Sequence, residues 1–315
     1  MQDQAQDSCP DPTAQIVIVN WNSGPWLQAC LRSISDFGGG AVDRVIVVDN
    51  GSKDGSAEVD VDGINLEVRQ TDANLGFAKA CNLGAAGATA PYLLFLNPDA
   101  ALRPGALQMA LAFMAGLAGR RTGVCGVRLI GEDGLVQQHT TKLPNPFSLL
   151  NLTLLRTPFD HLSSRPVGHV IGAFYLIRRE LFERLGGFDE RFFVYLEDLD
   201  LSVRVHDAGW AVHYLAEAIS FHKGGGTSEQ VKAHRLYYSL QSRILYAFKH
   251  FSAPSAWLVL AATISLEPAA RFLRALARTS RADFSHTAQG YRMLLRALPT
   301  IVRTALGAKR VRDEV

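Results

Sequence analysis

Three acidic positions in the chain combine the residue type and the setting that acid–base and metal chemistry require. The run 92–96, Tyr-Leu-Leu-Phe-Leu, is almost wholly apolar, the pattern of a strand buried on both faces. Asn97-Pro98-Asp99 ends it, because Pro98 cannot donate a ladder hydrogen bond and holds its φ fixed. Asp99 thus stands at the C-terminal end of a buried strand, where open α/β sheets bind ligands. Asp49 stands in the same way after the apolar run 45–48, and Glu197 and Asp198, with Asp200, open a helical stretch reaching Ala208. A hard divalent cation held by few carboxylates and by substrate phosphates suits Asp99. A carboxylate pair at a helix start suits a general base. Each acid also has a plainer use: Asp49 and Asp54 as turn caps, and the acids at 197–200 as partners of the helix dipole.

The elements that must carry these acids follow from hydrophobic periodicity. A buried strand is expected over 15–20, then a turn at Trp21-Asn22-Ser23-Gly24. Pro25 opens a helix with Trp26, Leu27, Cys30, Leu31 and Ile34 on one face. Residues 44–48 form a second strand, and Lys53-Asp54-Gly55-Ser56 leads into a short helix. A weaker strand covers 66–70, Asn74-Leu75-Gly76 opens a helix carrying Phe77, Cys81 and several alanines, and Pro104 starts another after the strand 92–96. Four strand–helix repeats spaced roughly 25 to 30 residues apart predict an α/β fold with a doubly wound, mostly parallel sheet flanked by helices. Asp49 and Asp99 should then share one sheet edge.

Beyond residue 120, strands are expected at 124–130, 135–138, 170–178 and 211–215. A proline-containing loop over the site spans 140–166, and a glycine-rich loop follows His222. Gly172-Ala173 is small enough to let a ligand approach the backbone.

The net charge of +2 conceals an asymmetry: residues 223–315 hold 15 Lys and Arg against 5 Asp and Glu, while residues 1–222 hold 17 against 25. An acidic body with a basic tail points to an anionic partner. Cys9, Cys30, Cys81 and Cys125 show no metal-ligand spacing and read as reduced cytosolic thiols. Residues 1–14 lack a signal-peptide core and are expected as a disordered lead-in. No Gly-x-Gly-x-x-Gly follows the first strand, no P-loop is present, and no nucleic-acid recognition motif accompanies the basic tail. Residues 229–315 read as a basic amphipathic helical segment. Its apolar run 257–266 is too short to span a bilayer, and Arg271, Arg274, Arg278 and Arg281 follow it. Such helices lie in the membrane interface; packing as an ordinary appendage or a homodimer is the competing use.

Taken in order, seven motifs resemble one family. They are Val-Asn-Trp-Asn at 19–22, Val-Val-Asp-Asn-Gly-Ser-Lys-Asp-Gly-Ser at 47–56, Asn-Leu-Gly-Phe-Ala-Lys-Ala-Cys-Asn at 74–82, Asn-Pro-Asp at 97–99, Gly-Gly-Phe-Asp-Glu at 186–190, Glu-Asp-Leu-Asp at 197–200, and His222 with its glycines. Residues 15–228 resemble the inverting glycosyltransferases of family 2, which have the GT-A fold, and look most like its rhamnosyltransferase branch. The resemblance implies a donor site at Asn20, Asn22, Asp49, Asn50, Ser52, Asn74, Gly76, Asn82, Asn97 and Asp99, with Asp49 on the nucleoside. It implies Mg²⁺ or Mn²⁺ held by Asp99, with His222 as a further contact to metal or diphosphate. Asp198 would be the catalytic base, with Asp189 and Glu197 near the acceptor. The family's usual Asp-x-Asp metal motif reads Asn97-Pro98-Asp99 here, one charge fewer. The implied donor is a nucleotide-diphospho-sugar, dTDP-L-rhamnose favoured, and the implied acceptor is a polyprenyl-diphosphate-linked or polysaccharide glycan at the cytoplasmic membrane face. A UDP-hexose or UDP-galactofuranose donor, and a catalytically silent nucleotide-sugar-binding scaffold, are the alternatives.

Overall fold

A computed structural model describes residues 12–137, 140–150, 160–224 and 231–313. Residues 1–11, including Cys9, and the glycine-rich loop beyond Gly224 lie outside the described residues.

The first half runs β1 (Ala14–Asn20), α1 (Trp26–Phe37), β2 (Val42–Asp49), β3 (Leu66–Gln70), α2 (Phe77–Ala85), β4 (Tyr92–Leu96), β5 (Ala100–Ala101), α3 (Ala106–Ala115) and β6 (Thr122–Ile130). The second half continues with β7 (Thr140–Thr141), α4 (Pro146–Leu149), β8 (Arg165–Val167), β9 (His169–Val170), β10 (Phe174–Arg178), α5 (Arg179–Arg184), α6 (Glu197–Asp207) and β11 (Ala211–His222). Four helices close the chain: α7 (Lys232–His250), α8 (Ala253–Ile264), α9 (Leu266–Ala277) and α10 (Arg281–Asp313).

The main sheet has the order β3-β2-β1-β4-β10-β6-β11-β5, with β8 also pairing β11. The first four strands are parallel, β10 inserts antiparallel between β4 and β6, and β11 runs parallel to β6. Side-chain alternation divides the central strands between two cores. Ile16, Ile18, Val45, Val47, Leu94 and Leu96 join α1 and α3 on one face. Val17, Val19, Ile46, Val48, Leu93 and Phe95 join α2, α5 and α6 on the other. Both faces are dry, which is why these strands read as unbroken apolar runs. The small residues of α2 serve close packing: a Cβ on Gly84 would lie 2.4 Å from Val17 Cγ1.

Several expectations need correction. Residues 51–65 form turns rather than a short helix, because Asp54 accepts the Gly24 and Ser56 N–H groups and Gly55 has φ +75°. Among the described residues, the expected pair 124–130 and 135–138 reduces to β6 and a bridge between Ile130 and Val136, Gln138 lying outside them. The strand expected over 170–178 splits at 171–173, where Gly172 turns its N–H to a side chain instead of a ladder partner. The last strand does not stop at Leu215 but reaches His222. Helix α9 starts at Leu266 and runs through the expected break at Glu267-Pro268, since Pro268 falls in its first turn, where no intrahelical N–H bond is required. The segment Ala253–Ala277 is therefore 25 residues and, by length and composition, apolar enough to cross a membrane.

A third core ties the C-terminal helices to the sheet domain: Phe192 and Leu199 pack with Leu240, Ile244, Phe248, Val259 and Leu294.

Candidate active site

The parallel register β1–β2–β4 brings three loops to one edge. Asn20 pairs with Asp49 across the β1–β2 ladder, so the two side chains meet directly. The Asn20 amide nitrogen donates to Asp49 Oδ1 at 2.9 Å, Ser56 Oγ at 2.9 Å and Ser52 Oγ at 3.1 Å, and its oxygen accepts from the Ser23 hydroxyl. Asn20 is itself wholly buried, so it acts by fixing Asp49 and the 52–56 turn. Asn22, at φ +48°, accepts the Lys53 N–H at 2.8 Å and donates its own N–H to Ser52 Oγ at 3.0 Å.

Asn50 closes the neighbouring turn, donating to Asn74 Oδ1 at 3.0 Å and Gly76 O at 3.2 Å and accepting the Leu75 N–H at 2.8 Å. Gly76 is required there: φ is +87°, and a Cβ would lie 2.6 Å from Phe193 O. Asn82 has a different placement from the other expected donor residues. Its amide cross-links α2 to the turn before α6, donating to Phe188 O at 2.9 Å and Glu190 Oε1 at 3.1 Å and accepting the Phe188 N–H at 2.9 Å.

Asp99 and His222 come together because β5 pairs with the end of β11, placing His222 opposite Ala100. Lys223 N also donates to Asp99 O at 3.0 Å. His222 Nε2 lies 3.4 Å from both Asp99 Oδ1 and Asn97 Nδ2. Gln137 sets the imidazole tautomer. Its Nε2 donates to His222 O at 2.7 Å, which fixes the amide orientation, so its Oε1 accepts from Nδ1 at 2.9 Å. In the neutral ring the Nε2 lone pair then faces Asp99. Among the described residues no cluster of three or more His, Cys, Asp or Glu could hold a metal. Asp99, His222 and Asn97 would fit a hard cation that takes its remaining oxygens from a diphosphate.

Asp198 lies in the first turn of α6, 15% exposed at the side chain. Its Oδ2 accepts the Gly172 N–H at 2.7 Å and its Oδ1 the Leu199 N–H at 2.8 Å, so both oxygens are oriented by backbone. His169 Nε2 lies 3.8 Å from Oδ2, while its Nδ1 pairs with Ser202 Oγ at 3.1 Å. Burial pushes the His169 imidazole below its ordinary range, opposed by the charge of Asp198. The preceding residues, Tyr195 at φ +71° and Leu196 at φ +66°, hold a left-handed backbone that non-glycine residues rarely adopt.

Two residues expected near the acceptor are otherwise engaged. Glu197 is 5% exposed and its Oε2 has no hydrogen-bond partner among the described residues. Burial and then the Asp198 charge push its carboxyl well above the usual range. Asp189 pairs with Arg191 and with Lys249, whose Nζ is 2.6 Å from Oδ2. Lys249 also meets Asp200 Oδ1 at 2.6 Å, joined by His250 Nε2 at 2.7 Å, while Arg204 Nε takes Oδ2 at 2.8 Å. No sequence signal points to Gln137, His169, Lys249 or His250, since none lies in a motif and each acts through a partner distant in the chain.

The comparisons with known proteins agree with this geometry. Residues 15–186 match the model of the family described as Glycosyl transferase family 2. The chain is 32% identical over 274 residues to an N-acetylglucosaminyl-diphospho-decaprenol L-rhamnosyltransferase of Mycobacterium tuberculosis H37Rv, covering 77% of this chain and 87% of that one. It is 29% identical over 139 residues to rhamnosyltransferase WbbL of Escherichia coli K12, 42% of this chain and 52% of that one. Among solved structures, the mannosyltransferase PcManGT from Pyrobaculum calidifontis, in complex with GDP-Man and Mn²⁺, superposes with a TM-score of 0.54 at 19% identity, over 96% of this chain and 88% of that one. TarS 1–349 of S. aureus in complex with UDP-GlcNAc gives 0.56 at 16% identity, over 93% and 81%. With the family model spanning more than half its length and a GT-A sheet carrying its acids at one edge, the chain belongs to glycosyl transferase family 2.

Proposed function

We propose that the protein transfers L-rhamnose from dTDP-L-rhamnose to a polyprenyl-diphosphate-linked N-acetylglucosamine, with inversion at the anomeric carbon. The observation that carries the reading is the arrangement around Asp198. A carboxylate with both oxygens oriented by backbone N–H groups stands at the mouth of a sheet edge whose other acids, Asp49 and Asp99, suit a nucleoside diphosphate. Asp198 takes the proton from the acceptor hydroxyl, whose oxygen attacks the anomeric carbon as the nucleoside diphosphate departs on the opposite side. Asp49 accepts from the nucleoside, and Asn20 keeps it in place. Asp99, His222 and Asn97 would hold Mg²⁺ or Mn²⁺, which when bound offsets the charge on the departing diphosphate. The Mycobacterium relative, named for L-rhamnosyl transfer to N-acetylglucosaminyl-diphospho-decaprenol, supports this sugar and acceptor class, and on this reading the enzyme works at the cytoplasmic membrane face.

The test is nucleotide release from a panel of dTDP- and UDP-sugars, with polyprenyl-diphosphate-GlcNAc, in Mg²⁺ and in EDTA. Release of dTDP that needs acceptor and metal is expected; turnover only with a UDP-sugar would overturn the rhamnosyl assignment. Asp198→Asn should cut turnover by about 10²- to 10⁴-fold while dTDP-rhamnose binding is retained. An unchanged rate would leave the chain a nucleotide-sugar-binding scaffold.

A further inference from the structure

The helices α8 and α9 leave an apolar stripe uncovered. Exposed positions recur at three- and four-residue intervals from 254 to 277, straight through the junction at Ser265, so they fall on one face. At about 1.5 Å per residue that face is about 35 Å long. Leu266 is 66% exposed, Leu273 67% and Leu276 71%, with Trp257 and Leu258 at one end and Phe284 of α10 at the other. Continuous apolar exposure on this scale marks an interaction surface.

The opposite face is committed to the protein. Ala256, Val259 and Leu260 belong to the third core, and Ala275 of α9 is buried. Glu267, midway along, pairs with Arg243 of α7 and at 2.7 Å with Arg271. A helix pair bound along one side and bare along the other lies on a bilayer and does not cross it, whatever its length and hydropathy allow.

Charge decides what covers the bare side. Arg274, Arg278 and Arg281 flank the stripe and are exposed, and the exposed acid within the same stretch is Asp283 alone. A second copy docked by a two-fold axis would bring a second set of these arginines to the interface with only one more exposed acid, its own Asp283. An anionic lipid surface meets both features, taking the leucines into its acyl boundary and the guanidinium groups among its phosphates.

We propose that the α8–α9 stripe is an in-plane docking surface for an anionic bilayer. Its use rests on the lipid-linked acceptor proposed above. Through the shared core of Phe192 and Leu199, it fixes the orientation of α6, and so of Asp198, relative to the lipid plane.

The test is co-sedimentation of the full-length chain with phosphatidylcholine vesicles, with and without phosphatidylglycerol. Wild type should bind the anionic vesicles roughly 10²-fold more tightly, about fivefold for each of the three exposed arginines. Arg274→Gln with Arg278→Gln should weaken binding about 25-fold, near fivefold per charge. Leu273→Ser with Leu276→Ser should lower binding to both vesicle types. All four side chains are exposed, so the thermal midpoint should hold. Transfer to a short-chain, water-soluble acceptor should also be unchanged in both variants. Equal binding of wild type to both vesicles, or of either variant and wild type to the anionic vesicles, would overturn the proposal. So would a dimer by light scattering that the leucine variant splits, which would give the face to a second copy. Vesicle binding without transfer to any lipid-linked acceptor would overturn the functional reading and leave the docking surface standing.

Discussion

At the scale of single residues, the buried carboxyl beside Asp198, the proposed base, makes a prediction about pH. Burial and the Asp198 charge raise the Glu197 carboxyl well above its ordinary value. The folded chain then keeps this proton at pH values where the unfolded chain has lost it, so folding stability falls as pH rises above about 4.5. The slope for one retained proton is at most about 1.4 kcal/mol per pH unit. Glu197→Gln keeps the shape and has no proton to lose. Relative to wild type its stability should therefore climb between about pH 5 and about pH 8 in urea unfolding. A constant difference across that range would mean that Glu197 is ionised when folded. Residues of this kind are half legible in a sequence. Asp49, Asp99 and Asp198 announce themselves because each ends or begins an element at a place where ligands bind. Glu197 shows its type but not its direction, since whether it faces acceptor or core depends on how α6 seats against α2 and α7.

At the scale of elements, α6 presents Asp198, the proposed base, and α7 holds α6. Asp200 is fully buried and meets Lys249, His250 and Arg204, while Asp189 meets Lys249 and Arg191. Burial alone would raise both carboxyls. For Asp189 the Arg191 hydrogen bonds and the Lys249 charge bring it below the ordinary range; for Asp200 the His250 hydrogen bond and the Arg204 charge do so. Acids depressed in this way stabilise the fold above an unfolded value of about 3.8, and that contribution is lost as pH falls through their folded values. Lys249→Met removes one cation facing the buried Asp200 and the partly buried Asp189 and should cost about 3–5 kcal/mol. It should also lower kcat, because α6 loses its brace; unfolding curves and steady-state rates check the two effects. Unaltered stability and rate would make the cluster incidental. Four strand–helix repeats were readable because both faces of β1, β2 and β4 are buried. The end of β11 was not, since Ala216-Glu217-Ala218 breaks the apolar run. Yet Glu217 points outward between two buried alanines, the alternation of a strand. That extension carries His222 to Asp99, so His222 was legible as a residue and its contact with Asp99 illegible as a geometry.

At the scale of the molecule, the basic tail and acidic body visible in the composition describe charge but not architecture. A chain divided at residue 228 into catalytic domain and helical appendage should, on the sequence reading, lose only its attachment when truncated there. The third core argues otherwise. Phe192, on the segment leading to α6, is 1% exposed, and Leu199, one residue beyond the base, is 5% exposed; both are covered by α7 and its neighbours. Truncation would also leave Asp189 and Asp200 without Lys249 and His250. Uncovering two large apolar side chains costs about 1.5–3 kcal/mol each, to which the lost ion pairs add. Against a total stability of about 5–15 kcal/mol this is enough to disorder α6. Residues 1–228 alone are therefore expected to give low soluble yield and no glycosyl transfer even to a water-soluble acceptor. Stripe variants of the full chain should keep that soluble-acceptor activity. A soluble, cooperatively unfolding and active fragment would show that the sheet domain holds its base unaided, and that the helices serve the membrane alone.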